Sequence, residues 1–216
     1  MTSSGIFITL EGPEGSGKTS HMTPLVEWLQ EMGRNVICTR EPGGTSIGEQ
    51  IRNVIHDLKN QEMHPHTETL LYQAARSQIV EQLIRPELQK GVIVLCDRFA
   101  DSTLAYQGFG HQQDLDQIRS LIHYATSGLK PDLTILLDLD VEIGLKRGNQ
   151  RRTHGGEWNR LDAYELDFHK RVRKGYLELV SVEQDRWSVV DASLPWVDVQ
   201  DSIRKVISTY LNNKGR

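Results

Sequence analysis

Residues 12–19 read Gly-Pro-Glu-Gly-Ser-Gly-Lys-Thr, a pattern with the chemistry of a loop that wraps phosphate. Glycines let successive backbone N–H groups converge on phosphate oxygens, and the start of a following helix adds partial positive charge. The side chain of Lys18 can reach β- and γ-phosphates, and the hydroxyl of Thr19 can bind Mg²⁺. The stretch fits G-x-x-x-x-G-K-[ST] between an apolar run and an amphipathic one. It predicts a nucleotide-binding loop made of Gly12, Pro13, Glu14, Gly15, Ser16, Gly17, Lys18 and Thr19.

Such a loop occurs in kinases, GTPases and motor ATPases, so other motifs must select the class. Guanine-specific GTPases carry an N-K-x-D motif, whereas the only Asn-Lys pair here, at 213–214, is followed by Gly and Arg. A small-molecule kinase is therefore favoured. A kinase of that kind must hold a second, anionic substrate, a task for which the arginine fork is well suited.

The elements that position these residues follow from the apolar pattern. Short runs that are apolar on both faces, typical of buried parallel strands, occupy residues 6–12, 35–41, 92–98, 133–140 and 187–193. Stretches typical of helices occupy residues 18–32, 47–58, 67–90, 115–126, 141–147, 161–183 and 197–211. Strands that alternate with helices predict an α/β fold, here a P-loop NTPase-type five-stranded parallel sheet flanked by helices. We expect one domain over residues 1–216.

Polar side chains follow most of the predicted strands. Ligands of open parallel sheets bind at the carboxyl ends of the strands. Four of the five predicted strands end in residues that could act there, namely Glu11, Arg40-Glu41-Pro42, Asp97-Arg98 and Asp191. The polar groups thus coincide with the edge where this fold class places its site.

Three further stretches carry a family resemblance: TREPGGTSIGEQIR at 39–52, TLLYQAARSQ at 69–78 and CDRFADSTLAYQG at 96–108. Together with the phosphate loop, and in this order, they resemble the thymidylate kinase (dTMP kinase) family over residues 6–203. The resemblance implies a nucleoside monophosphate kinase-like fold with a mobile lid. It also implies conversion of dTMP to dTDP with ATP and Mg²⁺, a cis bond before Pro42, and a homodimer formed through helices such as 67–90.

The resemblance implies roles for residues that would hold dTMP. Tyr72 would stack on thymine, and Arg76, one helical turn later on the same face, would bind the base edge. Gln107 would complete the base contact. Arg52 and Arg98 would clamp the acceptor phosphate, which suits the guanidinium fork.

Four other assignments complete the site, and those of Tyr106 and Asp97 leave alternatives open. Ser102 and Tyr106 would line the same pocket by resemblance, although Tyr106, like Tyr72, could simply belong to the core. Glu14 would accept a hydrogen bond from the sugar 3′-hydroxyl, which would explain an acid inside an anion-binding loop. Asp97 could hold a water of Mg²⁺ as a Walker B acid, or could orient Arg98.

Phosphoryl transfer adds negative charge that an arginine usually stabilises. One subgroup of the family carries that arginine in the phosphate loop, at the position of Gly15 here. The polar segment 146–160 is the alternative source, and it resembles the lid of the bacterial-type subgroup, although a solvated surface loop would look similar. We expect Arg151 or Arg152 to stabilise transfer beside Lys18 and Arg98, with Arg160 in support.

Bulk composition narrows the class further. A net charge of −4 argues weakly against a dedicated nucleic-acid binder, and no apolar run approaches the length of a membrane span. Cys38 and Cys96 lie in apolar runs and are expected to be buried, inert thiols, which suits a reducing cytoplasm. Two rival functions remain: a kinase for another nucleotide or nucleoside, and a nucleotide-dependent switch or ATPase.

Overall fold

The computed structural model describes residues 5–153, 160–161 and 164–214. Its strands are β1 Ile6–Glu11, β2 Val36–Arg40, β3 Ile93–Asp97, β4 Leu133–Asp138 and β5 Trp187–Asp191. They form one parallel sheet in the order β2-β3-β1-β4-β5. Every strand falls within its predicted run, so the predicted five-stranded parallel sheet is confirmed.

The strand register brings the predicted site residues to one edge of the sheet. Asp97 at the end of β3 is level with Leu10 of β1 and with Arg40 of β2. Residues that follow these strands therefore emerge side by side. The neighbouring carboxyl ends of β1, β2 and β3 are the frame on which the site is built.

Burial differs between central and edge strands. Every residue of β3 is buried, as the apolar pattern predicts for a strand covered on both faces. Strand β2 lies at the edge of the sheet, where Cys38 is exposed, whereas Cys96 of β3 is buried. The prediction that both thiols are buried is therefore wrong for Cys38, because strand order cannot be derived from the local apolar pattern.

The helices cover both faces of the sheet. Their bounds are α1 Lys18–Glu31, α2 Ser46–His56, α3 Pro65–Ile79, α4 Arg85–Gln89, α5 Ala100–Thr103, α6 Leu115–Thr126, α7 Val141–Thr153, α8 Leu166–Val182 and α9 Trp196–Lys214. Two π-helical segments, Val80–Ile84 and Leu104–Gly110, continue α3 into α4 and extend α5. The predicted helices are all present, and Pro24 lies inside α1.

The largest differences from the sequence-based expectation concern α7, α8 and the segment that follows β3. The helix predicted over 141–147 continues to Thr153, and the one predicted from 161 begins at Leu166. The helical segment 100–110 is not predicted from the sequence. Its glycines have low helix propensity, so the sequence does not indicate a helix there. In the structure Gly110 lies against Phe168 of α8, whose ring a Cβ would overlap. Close packing, and not helix propensity, decides the conformation there.

Two apolar layers hold the helices against the sheet. On one face, Leu25 of α1 and Ile203 of α9 pack with Ile8 of β1 in a continuous buried cluster. On the other face, Ile79 at the end of α3 packs in a second cluster with Val94 of β3. Both layers leave the carboxyl edge of the sheet open. None of the helices in the described part of the chain is long and apolar enough to cross a membrane.

Candidate active site

A cavity of about 680 Å³ opens at the carboxyl ends of β1, β2 and β3. The predicted site residues that line it are Glu14, Gly15, Gly17, Lys18, Thr19, Arg52, Tyr72, Arg76, Asp97, Arg98, Ser102, Tyr106 and Gln107. Gly12, Pro13 and Ser16 complete the same loop. The structure thus brings together residues from seven separate elements. The side chains of Arg151 and Arg152 lie outside the described residues, as do residues 154–159 of the predicted lid.

The phosphate loop connects β1 to the start of α1. Gly12, Gly15 and Gly17 have φ values of 148°, 74° and 89°, a region of backbone conformation that other residues rarely adopt. The ammonium of Lys18 donates to Gly12 O and to Pro13 O, both at 3.0 Å. Burial and the nearby arginine Arg98 lower the pKa of Lys18 to about 8. The lysine is therefore a buried donor at the centre of an anion-binding loop.

The first residues of α1 meet the end of β3 at a pair of oxygens. The hydroxyl of Thr19 donates to Asp97 Oδ2 at 2.6 Å. Hydroxyl and carboxylate oxygens are hard ligands of the kind that Mg²⁺ prefers, usually beside waters and substrate phosphates. Among the described residues, no group of three or more His, Cys, Asp or Glu is placed to hold a metal alone. The pair fits a magnesium site that substrate phosphate completes.

Arg98 is the most heavily bonded side chain of the site. Its backbone has a φ of 68°, a left-handed conformation that costs a non-glycine residue roughly 1 kcal/mol or more. Its guanidinium donates to Glu14 Oε1 at 2.8 Å, Tyr106 OH at 3.0 Å, Gly12 O at 3.1 Å, Ser102 Oγ at 3.2 Å and Tyr176 OH at 3.3 Å. It therefore binds the phosphate loop to α5 and α8.

Glu14 projects from the phosphate loop toward Arg98 rather than into the ring of N–H groups. Its carboxylate accepts from Arg98 and, at 3.1 Å, from the hydroxyl of Tyr106. Burial opposes ionisation, but the charges of Arg98 and Lys18 outweigh it and lower the pKa of Glu14 to about 2. The acid inside the anion-binding loop is thus a permanent counter-charge to these two cations.

Glu11, the last residue of β1, positions the residues around Arg98. Its fully buried carboxylate accepts from Phe99 N–H at 2.7 Å, directly after Arg98 in the chain. It also accepts from the hydroxyls of Ser102 at 2.6 Å and Tyr176 at 2.9 Å, both of which accept from Arg98. The sequence indicates a strand-end acid here, but not its two hydroxyl partners.

Arg76 and its neighbours form the floor of the cavity. The guanidinium is 1% exposed and pairs with Glu41 at 2.7 Å. It also donates to Gln73 Oε1 at 3.0 Å, Thr103 Oγ1 at 2.9 Å and Phe99 O at 3.0 Å. Each N–H group of Arg76 thus already donates to a protein acceptor. A base that binds Arg76 must therefore share one of these N–H groups with its protein acceptor. The predicted cis bond between Glu41 and Pro42 is confirmed.

The two tyrosines with open assignments both reach the cavity. Tyr72 lines it from α3. Tyr106 is 4% exposed and packs edge-on against Phe168 and Tyr176, yet its hydroxyl bonds Arg98 and Glu14. Tyr106 therefore belongs to the core through its ring and to the site through its hydroxyl.

Helix α7 covers one side of the phosphate loop. Gly15 has a φ of 74°, and a Cβ on it would overlap the backbone of Gly144. The contact leaves no room for a side chain at Gly15, so an arginine there would require α7 to move. One turn later, Arg147 lines the cavity and donates to Ala192 O at 3.0 Å. The sequence groups Arg147 with the lid cations and assigns it no role.

Arg160 has a different environment from that of a transfer-stabilising residue. It is 4% exposed and donates to Ile55 O at 3.1 Å, to Tyr164 OH, and to the buried carboxylate of Glu68. Glu68 also accepts from Gln107. The sequence does not indicate Glu68 or its contacts with Arg160 and Gln107, because a lone acid on a helix is typical of a solvated face.

Comparison with known proteins shows which family and which structures the chain resembles. A family model described as thymidylate kinase matches residues 10–203. The chain is 48% identical to a thymidylate kinase of Roseiflexus castenholzii, with 95% of this chain and 94% of the relative covered. It is 44% identical to that of Desulfovibrio desulfuricans, with 98% and 99% covered. The crystal structure of thymidylate kinase from Ehrlichia chaffeensis, 32% identical, superposes with a TM-score of 0.75 over 94% of this chain and 99% of that one. The predicted fold class is thereby confirmed.

The ionisation of Glu11 yields a prediction for stability. Burial and the charge of Asp101 raise its pKa from 4.5 to about 7, so the folded state holds a proton that the unfolded state has released. This contribution to stability is present below the unfolded pKa and is lost as the pH rises to about 7. The free energy of unfolding of the wild type, relative to Glu11→Gln, should fall between pH 5 and 8, by at most about 1.4 kcal/mol per pH unit.

Urea denaturation of both proteins across that range measures the difference. The substitution Glu31→Gln, at an exposed residue of α1, is the control. A difference between the wild type and Glu11→Gln that does not change with pH would show that Glu11 is ionised throughout.

Proposed function

The chain belongs to the thymidylate kinase family and phosphorylates dTMP to dTDP with ATP, and we propose that it does so in the cavity at the ends of β1, β2 and β3. One observation carries this proposal. The ion pair of Glu14 and Arg98, at 2.8 Å, joins the nucleotide-binding loop to the predicted acceptor site. The two substrates therefore have adjacent sites that share a wall.

The phosphate loop is the proposed ATP site. Backbone N–H groups of residues 12–19 and the start of α1 would bind the β- and γ-phosphates, with Lys18 as the buried cation. Thr19 and Asp97 would hold Mg²⁺, which neutralises phosphate charge when bound. By resemblance to the family, the backbone at residues 191–193 would border the adenine, and Arg147 lies beside it because it donates to Ala192 O.

The opposite wall is the proposed dTMP site. Arg52 and Arg98 would bind the acceptor phosphate, and the ionised Glu14 would accept from the sugar 3′-hydroxyl. The base would lie on Tyr72 and reach Gln107 and Arg76, while Ser102 and Tyr106 shape the wall near the sugar. Because the guanidinium of Arg98 already donates to several protein acceptors, phosphate binding would exchange some of these bonds.

Transfer itself needs position and charge rather than covalent catalysis. An oxygen of the dTMP phosphate forms a bond to the γ-phosphorus in line, and the bond from that phosphorus to the β–γ bridging oxygen breaks, which leaves ADP. Lys18 and Arg98 would stabilise the charge from the protein side, and Arg151 or Arg152 would add to it from the lid. Closure of residues 146–160 would exclude water as a competing acceptor.

The domain organisation, the oligomeric state and the location of the enzyme are also proposed. A single P-loop kinase domain over residues 1–216 accounts for the family match to 10–203. A homodimer through the face of α3 would cover Leu70, which is 55% exposed. The free thiols of Cys38 and Cys96 suit a cytoplasmic enzyme. We propose no nucleic-acid or membrane partner.

A panel of acceptors tests the substrate assignment. With ATP and Mg²⁺ fixed, ADP release should show a higher kcat/KM for dTMP than for dCMP, dGMP or AMP, because the base would meet Gln107 and Arg76 in the cavity. Equal rates across the panel would indicate a different nucleotide or nucleoside as substrate. Hydrolysis that does not depend on an acceptor would indicate a switch or ATPase.

The lid assignment has its own test. At least one of Arg151→Ala and Arg152→Ala should lower kcat about 10²-fold or more with a smaller change in KM, since the lost charge acts mainly in the transition state. Arg119→Ala is the control, because this arginine lies on α6 with its side chain 52% exposed. Near-normal turnover in both lid variants would remove these arginines from the mechanism.

A further inference from the structure

Glu68 is a buried carboxylate behind the cavity, bonded to the lining residue Gln107, that the roles described above do not use. It lies on α3, one helical turn before Tyr72, and is 0% exposed. It accepts from Gln107 Nε2 at 2.7 Å, Tyr164 OH at 3.1 Å and His111 Nε2 at 3.2 Å, as well as from Arg160. A buried acid with this many donors is held in one position and one charge state.

The charge state of Glu68 decides which atom of Gln107 faces it. Burial opposes ionisation, but the hydrogen bond from His111 and the charge of Arg160 outweigh it and lower the pKa of Glu68 to about 2. An ionised carboxylate can only accept hydrogen bonds. The amide group of Gln107 that faces Glu68 must therefore be the NH₂, so the orientation of the amide is determined by its neighbour.

The carbonyl oxygen of Gln107 is therefore directed away from Glu68. Gln107 is 1% exposed but lines the cavity. Among the described residues its Oε1 receives no hydrogen bond, and it is not among the fully buried side-chain atoms that lack a partner. Because Gln107 lines the cavity, the amide oxygen directed away from Glu68 would face it. It presents an acceptor to whatever base occupies the site.

We propose that Glu68 is a positioning residue that sets the choice between thymine and cytosine by fixing the amide of Gln107. This inference rests on the proposed contact between Gln107 and the base. Thymine carries a hydrogen on N3 that can donate to Gln107 Oε1, whereas N3 of cytosine is itself an acceptor. A cytosine in the same pose would face the oxygen with a lone pair and leave both acceptors unpaired.

Arg160 connects this arrangement to the end of the lid segment. It reaches Glu68 from the chain that follows residues 146–159, and it also donates to Ile55 O near the end of α2. Among the nearby charges that lower the pKa of Glu68, that of Arg160 has the largest effect. Base selection therefore depends on Arg160, at the end of segment 146–160, which need not touch the base.

The substitution Glu68→Gln separates this role from simple loss of activity. A glutamine at 68 can donate or accept, so the Gln107 amide can adopt either orientation. The ratio of kcat/KM for dTMP to that for dCMP should fall by about tenfold or more, with the KM for ATP little changed. Glu81→Gln is the matched control, since that side chain is 54% exposed, and it should keep the wild-type ratio.

The variant Gln107→Leu completes a double-mutant cycle. If Glu68 acts through Gln107, the ratio for Glu68→Gln with Gln107→Leu should equal that for Gln107→Leu alone. A folded Glu68→Gln protein with the wild-type ratio, or effects of the two changes that multiply, would overturn the inference. A wild type without dTMP preference, or Gln107→Leu with an unchanged ratio, would instead refute the proposed base contact.

A crystal structure of the wild type with dTMP keeps the inference testable even if Glu68→Gln does not fold. The amide atom of Gln107 nearest to N3 of the base should be the one farther from Glu68, within hydrogen-bond distance of about 3.2 Å or less. Contact between N3 and the amide atom that faces Glu68 would overturn it.

Discussion

The site depends on the hydrogen bonds and the ion pair that the guanidinium of Arg98 makes. Arg98 leaves β3 in a left-handed backbone conformation and donates to the phosphate loop on one side and to α5 and α8 on the other. A charge in this position would be costly to bury alone, because desolvation of an ion costs several kcal/mol even in a relaxed protein. Glu14 offsets that cost directly, and Glu11 holds in place two of the hydroxyl groups that accept from Arg98.

This arrangement explains why an anion-binding loop contains an acid. Glu14 faces away from the phosphate-binding backbone and toward Arg98, so in the proposed arrangement the loop would offer a positive side to ATP and a negative group to the second substrate. The same packing that brings α7 onto Gly15 removes the space for an arginine in the loop. Charge for the transfer step must therefore come from side chains that approach from the other elements.

The parts of this structure that follow from local sequence were predictable, and those that depend on distant contacts were not. The apolar runs predict all five strands, and the ordered motifs predict which residues line the cavity. The exposure of Cys38 depends on strand order, and the helix at 100–110 depends on Phe168 filling the space beside Gly110. Glu68 resembles a surface acid until Gln107 and Arg160, far along the chain, are placed against it.

The central claim is that Glu14, through its pair with Arg98, belongs to the dTMP side of the phosphate loop. Isothermal titration of Glu14→Ala with dTMP, and separately with a non-hydrolysable ATP analogue, tests it most directly. The account predicts that dTMP binds about tenfold or more weakly, a loss of ~1.4 kcal/mol or more, while affinity for the ATP analogue changes less. A larger loss for the ATP analogue than for dTMP would contradict it.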